Sequence, residues 1–510
     1  MKRPAIVFIG FMGAGKSSAA LTVEAAVGGA EDMDVRIERR VGLSVRELFE
    51  KRGEEEFRRV EEEVASEILS EADGGAIALG GGSVLSERIS SELADHLVVW
   101  LDVDPETAWE RVVGTDRPLA QERARFDSLF AERRPLYESL ADAVLPVGDP
   151  EMVMRALPSI EALRELPAGT KMLWASSASG EYPVFVGSAL LGVDRWPLEG
   201  RRFCVTDSAV GAIYADRLAP LEARIEVEPG EAAKTMDEAE QVLRELARAG
   251  MTREDHVIAL GGGVVGDLGG FCAHVYQRGV AVVQVPTTLV AQVDSAYGGK
   301  TGVDLPEGKN YAGAYHLPAA VIADTETLAS LPPEELAAGF VEVLKTGLLA
   351  GGALWERVRG IESLDSGGLG DVVFACARYK CEVVAADERD SGLRHTLNLG
   401  HTVGHAIEAA SGYSRYRHGE AVGIGLLATL RLSGAAELRQ EVEEILRLHR
   451  LPVAIDPAID VEDILTALQR DKKRTAAGVG FVLLPEPGRP RTGQILDPDT
   501  VRAAVLELHG

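Results

Sequence analysis

The six residues Ile-Ala-Leu-Gly-Gly-Gly stand at positions 258–263, and the same six stand at 77–82. Each is an apolar run of strand length that ends in glycines, where the missing Cβ lets a ligand or another chain segment come close to the backbone. The flanks do not align. Ser-Val-Leu-Ser follows Gly82, whereas Val-Val-Gly-Asp-Leu-Gly-Gly-Phe follows Gly263. The pair is therefore no internal repeat, and it marks two separate α/β units that end a buried strand in the same way.

The chain has 510 residues, enough for two or three domains, and 46% of them are hydrophobic, enough for large cores. A formal charge of −27 argues against a nucleic-acid-binding surface but leaves room for local Lys and Arg clusters that hold small anions. Cys204, Cys272, Cys376 and Cys381 form no Cys-x-x-Cys pair and read as reduced thiols of a cytoplasmic protein. The start, Met1-Lys-Arg-Pro-Ala-Ile, imitates a signal peptide, but its apolar stretch is short, is broken by glycines and lacks a cleavage site. No run of about 18 apolar residues suggests a membrane span.

Residues 1–165 alternate apolar runs (Ala5–Ile9, Ala76–Leu79, Leu97–Leu101) with charged helical segments, the pattern of a parallel α/β domain. Residues 166–171 read as a linker through their Pro and Gly. A second α/β section, 172–330, offers strands at Val184–Val186, Arg202–Thr206, Arg224–Val227, His256–Leu260 and Val280–Val285. In 331–510 helical periodicity takes over, as in Pro333–Leu349, Val372–Ala386 and His401–Ala410. The expected architecture is an α/β P-loop domain with a parallel sheet and flanking helices. A Rossmann-like α/β subdomain and a mainly helical subdomain follow it.

Gly10-Phe-Met-Gly13-Ala14-Gly15-Lys16-Ser17 fits the phosphate-binding loop Gly-x4-Gly-Lys-Ser, placed between an apolar strand and a helix as that motif requires. Backbone N–H groups at the helix start hold phosphates, Lys16 reaches the β- and γ-phosphates, and Ser17 ligates Mg2+. The guanine signature Asn-Lys-x-Asp is absent, which disfavours a GTPase. Asp32-Met-Asp34 supplies carboxylates near metal and acceptor. In Gly53-Glu-Glu-Glu-Phe-Arg58-Arg-Val-Glu61, Arg58 and Glu61 share a helix face, which by itself suits an ordinary surface ion pair. Thr115-Asp-Arg117-Pro-Leu reads as a lid that closes on transferred phosphate charge.

With the Gly80-Gly81-Gly82 run and Arg133-Arg-Pro-Leu-Tyr137, this set resembles the shikimate kinase family over about residues 1–165. The resemblance implies ATP with Mg2+ as phosphoryl donor, held by Gly13, Ala14, Gly15, Lys16, Ser17, Ser18 and Arg117, with Mg2+ at Ser17 and Asp32. It implies shikimate contacts from Asp34, Arg58, Gly80, Gly81, Gly82 and Arg133, with Asp34 orienting or deprotonating the 3-hydroxyl and Arg111 near the adenine. Two departures stand out: Met33 occupies a usual Ser or Thr position, and Val27-Gly-Gly-Ala-Glu31 lacks apolar strand residues.

In the second half, the glycine-rich turn through Gly262, Gly263 and Asp267 follows a strand and suits a dinucleotide pyrophosphate, although its spacing is not the common Gly-x-Gly-x-x-Gly. Upstream, Gly230-Glu231-Ala-Ala-Lys234 suits either a ribose contact or a capped helix start. His401 and His405 are four apart on one helix face, His418-Gly-Glu420 follows, and Glu342 stands in Glu342-Val-Leu-Lys345. Three of only 10 histidines fall within 18 positions, and two imidazoles with a carboxylate suit Zn2+. Arg278, Lys300, Lys309, Lys345, Lys380, Arg394, Lys472 and Lys473 supply cations for an anion pocket, although the last two also suit a solvated helix.

Pro286-Thr287-Thr288-Leu-Val-Ala-Gln-Val-Asp294-Ser-Ala-Tyr-Gly-Gly-Lys300, the stretch 393–408 and His418-Gly-Glu-Ala-Val-Gly-Ile-Gly425 together resemble the 3-dehydroquinate synthase family over about 172–510. The resemblance implies NAD at Glu231, Lys234, Gly262, Gly263, Asp267, Thr287, Thr288, Asp294, Lys300 and Lys309. It implies Zn2+ or Co2+ on Glu342, His401 and His418. The implied substrate, 3-deoxy-D-arabino-heptulosonate 7-phosphate, is surrounded by Asp294, Lys300, Asn310, Lys345, Lys380, Arg394, Asn398, His405, Lys472 and Lys473. The resemblance further implies catalytic roles for Lys345 and His405, and an Arg278 that reaches the substrate across a homodimer interface. Implied too is a cycle in which NAD oxidises a hydroxyl, phosphate is eliminated, the ketone is reduced again and an aldol step closes the ring. Asp390 stands for a usual Glu, and Ala296-Tyr297 for Ser-Val or Ser-Ile. Another sugar-phosphate cyclase, a polyol dehydrogenase of the same fold, or a half that only binds its ligands are the alternatives.

Overall fold

The computed structural model describes residues 2–114, 122–146, 149, 151–364, 366–469, 474–475 and 478–509. It divides into two compact units, Met1–Ala175 with Pro183–Phe185, and Ser176–Tyr182 with Val186–Gly510. Residues 163–170 are turns and bends, and the strand Lys171–Ser177 begins directly after them.

In the first unit the strand Ile6–Ile9 is buried along its whole length, so its β-branched and aromatic side chains pack on both faces of the sheet. It pairs in parallel with Ala76–Ala78 on one side and Leu97–Asp102 on the other. Ala30–Asp32 lies outside the former and Ala143–Pro146 outside the latter, again in parallel. The first of these forms although its residues are not apolar, because the ladder to Ala76–Ala78 satisfies its backbone at the sheet edge. The long helix Val45–Glu71 opens on a Ser44/Glu47 capping box and breaks at Gly53, whose φ of 82° only glycine adopts readily. That break re-aims the stretch carrying Arg58 and Glu61.

In the second unit five parallel strands run in the spatial order Ala223–Val227, Arg202–Asp207, His256–Gly261, Ala281–Pro286 and Ala320–Asp324. Phe203, Val205, Ile225, Leu246, Leu268 and Val282 fill the core on one face. From Pro333 the chain is mostly helical, led by Pro333–Ala350, Gly370–Ala386, His401–Ala410 and His418–Leu432. Two β features depart from the sequence reading. Lys300–Leu305 and Gly308–Tyr315 form an antiparallel pair, and Arg474–Thr475, Gly478–Leu483 and Arg491–Ile495 form a small antiparallel sheet inside the helical part. Glycines interrupt the alternation in both, which hides the period of two. All four cysteines are buried thiols. No helix among the described residues is long and apolar enough to cross a membrane.

Candidate active sites

The phosphate loop turns through Gly13 and Gly15, with φ of 85° and 86°, and delivers the chain into the helix Lys16–Val27. The Lys16 ammonium donates to the carbonyls of Gly10 (2.9 Å) and Phe11 (3.2 Å), which folds it back over the loop. Arg111, on the helix Pro105–Val112, donates to the Gly13 carbonyl at 3.2 Å. One oxygen of Asp32 caps the helix Met33–Val41 by accepting from the backbone of Asp34 and Val35. Arg117 lies outside the described residues.

The first glycine triplet is a seat for side chains. A Cβ on Gly82 would stand 2.8 Å from Arg58 Cζ, and one on Gly80 would run into Glu61 Oε1 and the Met33 methyl. The Gly81 carbonyl accepts from Tyr137 Oη at 2.5 Å and from Arg133 Nη1 at 3.2 Å. Arg58 in turn donates to Glu61 Oε2 at 2.5 Å. Glu61 is only 3% exposed and Arg58 is half-buried over it, so this is a pair with a buried carboxylate and not the surface ion pair that the spacing alone suggested. Burial pushes the Glu61 carboxyl up, against the pull of the Arg58 guanidinium, and the nearby Asp34 carboxylate raises it further. Asp34, Arg58, Arg133 and the triplet thus converge, with Glu61 as a member the sequence offered only as a partner of Arg58. Met33 is fully buried against this seat and accepts from Ser83 Oγ at 3.5 Å, so the departure at position 33 is a packing choice.

In the second unit the second triplet ends the strand His256–Gly261, and Gly262 starts the helix Gly263–Val275. Here a Cβ on Gly262 would meet Thr288 Cγ2 at 2.9 Å, and Thr287 donates its backbone N–H to the Gly261 carbonyl at 2.9 Å. From the helix, Asp267 accepts from Lys234 at 2.6 Å. Burial pushes the Asp267 carboxyl up against that ammonium. Glu231 lies 4.0 Å from Lys234 and 3.5 Å from Lys309. These groups form one chain of alternating charge along the glycine-rich turn.

Asp294, in the turn Ala291–Ser295, is gripped by two buried ammoniums, Lys345 at 2.9 Å and Lys380 closer still. Burial alone would raise its carboxyl, but Lys345 and Lys380 hold it well below the usual carboxylate range. Burial lowers Lys380 despite Asp294, with Lys345 adding to the push. Lys345 also stands 2.5 Å from Glu342 Oε2, one helical turn away, without the alignment of a hydrogen bond. Both Glu342 oxygens are buried, and neither accepts a hydrogen bond among the described residues. Glu342 Oε1 is 3.5 Å from His401 Nε2 and 3.5 Å from His418 Nε2. Ligand atoms about 2.1 Å from one tetrahedral ion would be about 3.4 Å apart, so a buried carboxylate oxygen and two imidazoles in this geometry fit Zn2+ or a similar ion. His401 Nδ1 donates to the Leu399 carbonyl at 3.1 Å, which leaves its Nε2 lone pair for the ion.

Other expected residues distribute around this centre. The His405 ring lies 5.3 Å from that of His401 and 5.8 Å from that of His418, on the exposed side. Arg394 is buried and donates to the Glu388 carbonyl at 2.6 Å and the Gly298 carbonyl at 3.3 Å. Lys300 pairs with Asp390, whose left-handed φ of 60° marks a strained position and whose Oδ1 lies 3.8 Å from His395 Nε2. Asn398 Nδ2 donates to the His395 carbonyl at 3.1 Å. Asn310 is exposed, with a φ of 56°. Glu420 caps its own helix by accepting from the Arg417 backbone, so it does not join the metal cluster. Arg278 is exposed on the turn Tyr276–Arg278, and among the described residues no hydrogen bond or ion pair ties it to Asp294. Lys472 and Lys473 lie outside the described residues.

Family models match in three places: shikimate kinase over residues 12–159, 3-dehydroquinate synthase N-terminal over 224–338, and 3-dehydroquinate synthase C-terminal over 339–474. The 3-dehydroquinate synthase of Symbiobacterium thermophilum is 43% identical over 344 residues, 63% of this chain and 96% of the relative. That of Halorhodospira halophila is 41% identical over 326 residues, 61% of this chain and 92% of the relative. Among solved structures, a 2-epi-5-epi-valiolone synthase from Streptomyces hygroscopicus subsp. jinggangensis 5008, with NAD+ and Zn2+ bound, is 28% identical with a TM-score of 0.59. It covers 64% of this chain and 96% of its own. The glycine-rich turn, the buried Lys–Asp–Lys cluster and the carboxylate–imidazole trio sit on a scaffold matched nearly end to end by these relatives, behind a separate phosphate-loop domain. The chain belongs to the 3-dehydroquinate synthase family and carries a shikimate kinase domain ahead of it.

Proposed function

We propose that the chain is a bifunctional shikimate-pathway enzyme. Residues 1–165 phosphorylate shikimate at the expense of ATP, and 172–510 convert 3-deoxy-D-arabino-heptulosonate 7-phosphate to 3-dehydroquinate and phosphate. Within the latter, 172–330 hold NAD and 331–510 hold the metal and much of the substrate. The observation that carries the synthase reading is Glu342, a buried carboxylate that accepts no hydrogen bond among the described residues, facing two imidazole Nε2 atoms beside the Lys345–Asp294–Lys380 cluster.

In the kinase unit Lys16 leaves the Gly10 and Phe11 carbonyls for the phosphates, Ser17 and Asp32 hold Mg2+, and Arg117 adds a cation for the phosphates. Arg58 and Arg133 grip the shikimate carboxylate, and Asp34 takes the hydroxyl proton. In the synthase unit Glu342, His401 and His418 hold Zn2+ or Co2+, and Glu231, Lys234 and Asp267 face the NAD ribose and pyrophosphate. Bound NAD supplies a transient hydride acceptor, and the ion supplies polarisation of a substrate oxygen. Lys345 and Lys380, held by Asp294, donate to substrate oxygens and fix the substrate's orientation. Arg394 and Lys300 hold its anionic ends. His405, on the open side, moves protons. The protein works in the cytoplasm as a homodimer through the synthase half, with Arg278 projecting toward the partner.

The 43% identity to a 3-dehydroquinate synthase, against 28% to a valiolone synthase, favours the heptulosonate substrate over another sugar phosphate. The test is phosphate release from 3-deoxy-D-arabino-heptulosonate 7-phosphate with NAD+ and Zn2+, without ATP, with His401→Ala as control. Release that needs His401 and leaves no net NADH supports the reading. Stoichiometric NADH would make the unit a dehydrogenase. No release from folded, zinc-loaded protein would turn the reading to another cyclase substrate.

A further inference from the structure

We propose that Glu408 is the positioning residue that sets His418 for the metal. This rests on the reading of Glu342, His401 and His418 as the metal ligands. The helix His401–Ala410 is apolar on its buried face, yet it places a carboxylate there, Glu408, only 5% exposed. Its Oε2 accepts from His418 Nδ1 at 3.4 Å. A proton on Nδ1 leaves the Nε2 lone pair free, and Nε2 is the atom that faces Glu342 at 3.5 Å. The two imidazoles thus share one arrangement. His401 Nδ1 is engaged by the Leu399 carbonyl, and His418 Nδ1 by Glu408. The difference is chemical: His401 leans on the backbone, whereas His418 enters from the start of a separate helix and needs a side chain to fix its tautomer and ring angle.

A competing use of the same atoms is a second ion, since His405, Glu408 and His418 also bring ligand atoms within 4.8 Å of one another. Two observations disfavour it. A cation on His418 Nδ1 would displace the proton that Glu408 accepts, and the Lys309 ammonium already stands 4.0 Å from Glu408 Oε1, where it opposes a second positive charge.

The test measures Zn2+ affinity of the full chain by competition with a chromophoric chelator, together with the visible spectrum of the Co2+-loaded protein and zinc content per chain. Glu408→Ala should weaken Zn2+ binding by about 10- to 100-fold and shift the Co2+ bands. Glu408→Gln, whose amide oxygen accepts the same hydrogen bond, should recover most of both. His418→Ala serves as the reference for loss of a ligand. Parent-like affinity and spectrum in Glu408→Ala, with His418→Ala weakened, would overturn the role of Glu408 alone. Parent-like affinity in His418→Ala would overturn the metal site itself and this proposal with it. Two zinc ions per parent chain, falling to one in Glu408→Ala, would overturn positioning in favour of a second site.

Discussion

Replacing Gly82 by alanine would test how the kinase unit holds its acceptor. The added methyl would lie 2.8 Å from Arg58 Cζ. Carbon atoms in contact sit about 3.5–4.0 Å apart, so the guanidinium must retreat by roughly 1 Å. It cannot do so freely, because Nη1 is tied to the buried Glu61 carboxylate at 2.5 Å. A displacement of that size at a group that positions a substrate costs up to about 100-fold in rate, or about 2.7 kcal/mol. We therefore expect Gly82→Ala to lower kcat/KM for shikimate by about 10- to 100-fold, with KM for ATP little changed. The assay is ADP release by the full chain, and the unchanged KM for ATP in the same assay reports that the kinase unit is folded. In the Arg58→Ala background the methyl has nothing left to displace, so the two losses should not add. A Gly82→Ala enzyme within two-fold of the parent, or full additivity with Arg58→Ala, would refute the reasoning.

Three further outcomes follow from buried charge elsewhere. Asp294→Asn leaves Lys380 as a buried ammonium without its carboxylate and Lys345 with Glu342 alone, so the synthase unit should lose about 3–5 kcal/mol in urea unfolding, and a loss under 1 kcal/mol would contradict the cluster. His256 is 1% exposed and accepts from Trp196 Nε1 at 2.7 Å, and burial with Arg202 nearby lowers it to about 4. The unfolded chain therefore takes up the proton first. Stability should be full above about pH 6.5 and fall by up to about 3 kcal/mol as the pH drops to 4, a decline that His256→Gln should flatten in urea melts across that range. Burial pushes all four thiols up to about 12, so a thiol reagent at pH 8 should label none in the native protein and all four after denaturation.

Much of this was readable from local pattern. The phosphate loop, the strand before it and the His401–His405 helix each announce themselves within about a dozen residues, because the chemistry demands fixed spacing there. Glu342, His401 and His418 could be singled out by residue type, but their convergence is a tertiary event between three helices. The pair Lys234–Asp267 and the bond from His418 to Glu408 join residues far apart in sequence or separated by a loop, and no period reveals them. The antiparallel pair at Lys300–Tyr315 was hidden for the opposite reason: its strands are real, but glycines blank out one face of the alternation. Met33 is a departure from the family pattern whose packing partner, the space beside Gly80, lies 47 residues away and is not legible from local pattern.

The two glycine triplets, alike in letters, differ in how evolution could escape them. At position 82 the obstacle to a larger residue is Arg58, so any compensating change would sacrifice the group that the seat exists to hold. At position 262 the obstacle is the γ-methyl of Thr288, 2.9 Å away, and Thr288→Ser would remove that methyl while keeping the hydroxyl. An alanine at 262 is thus one further change from a tolerated state, whereas an alanine at 82 has no neighbouring route. Lineages of this chain should drift at 262 together with 288 and stay frozen at 82.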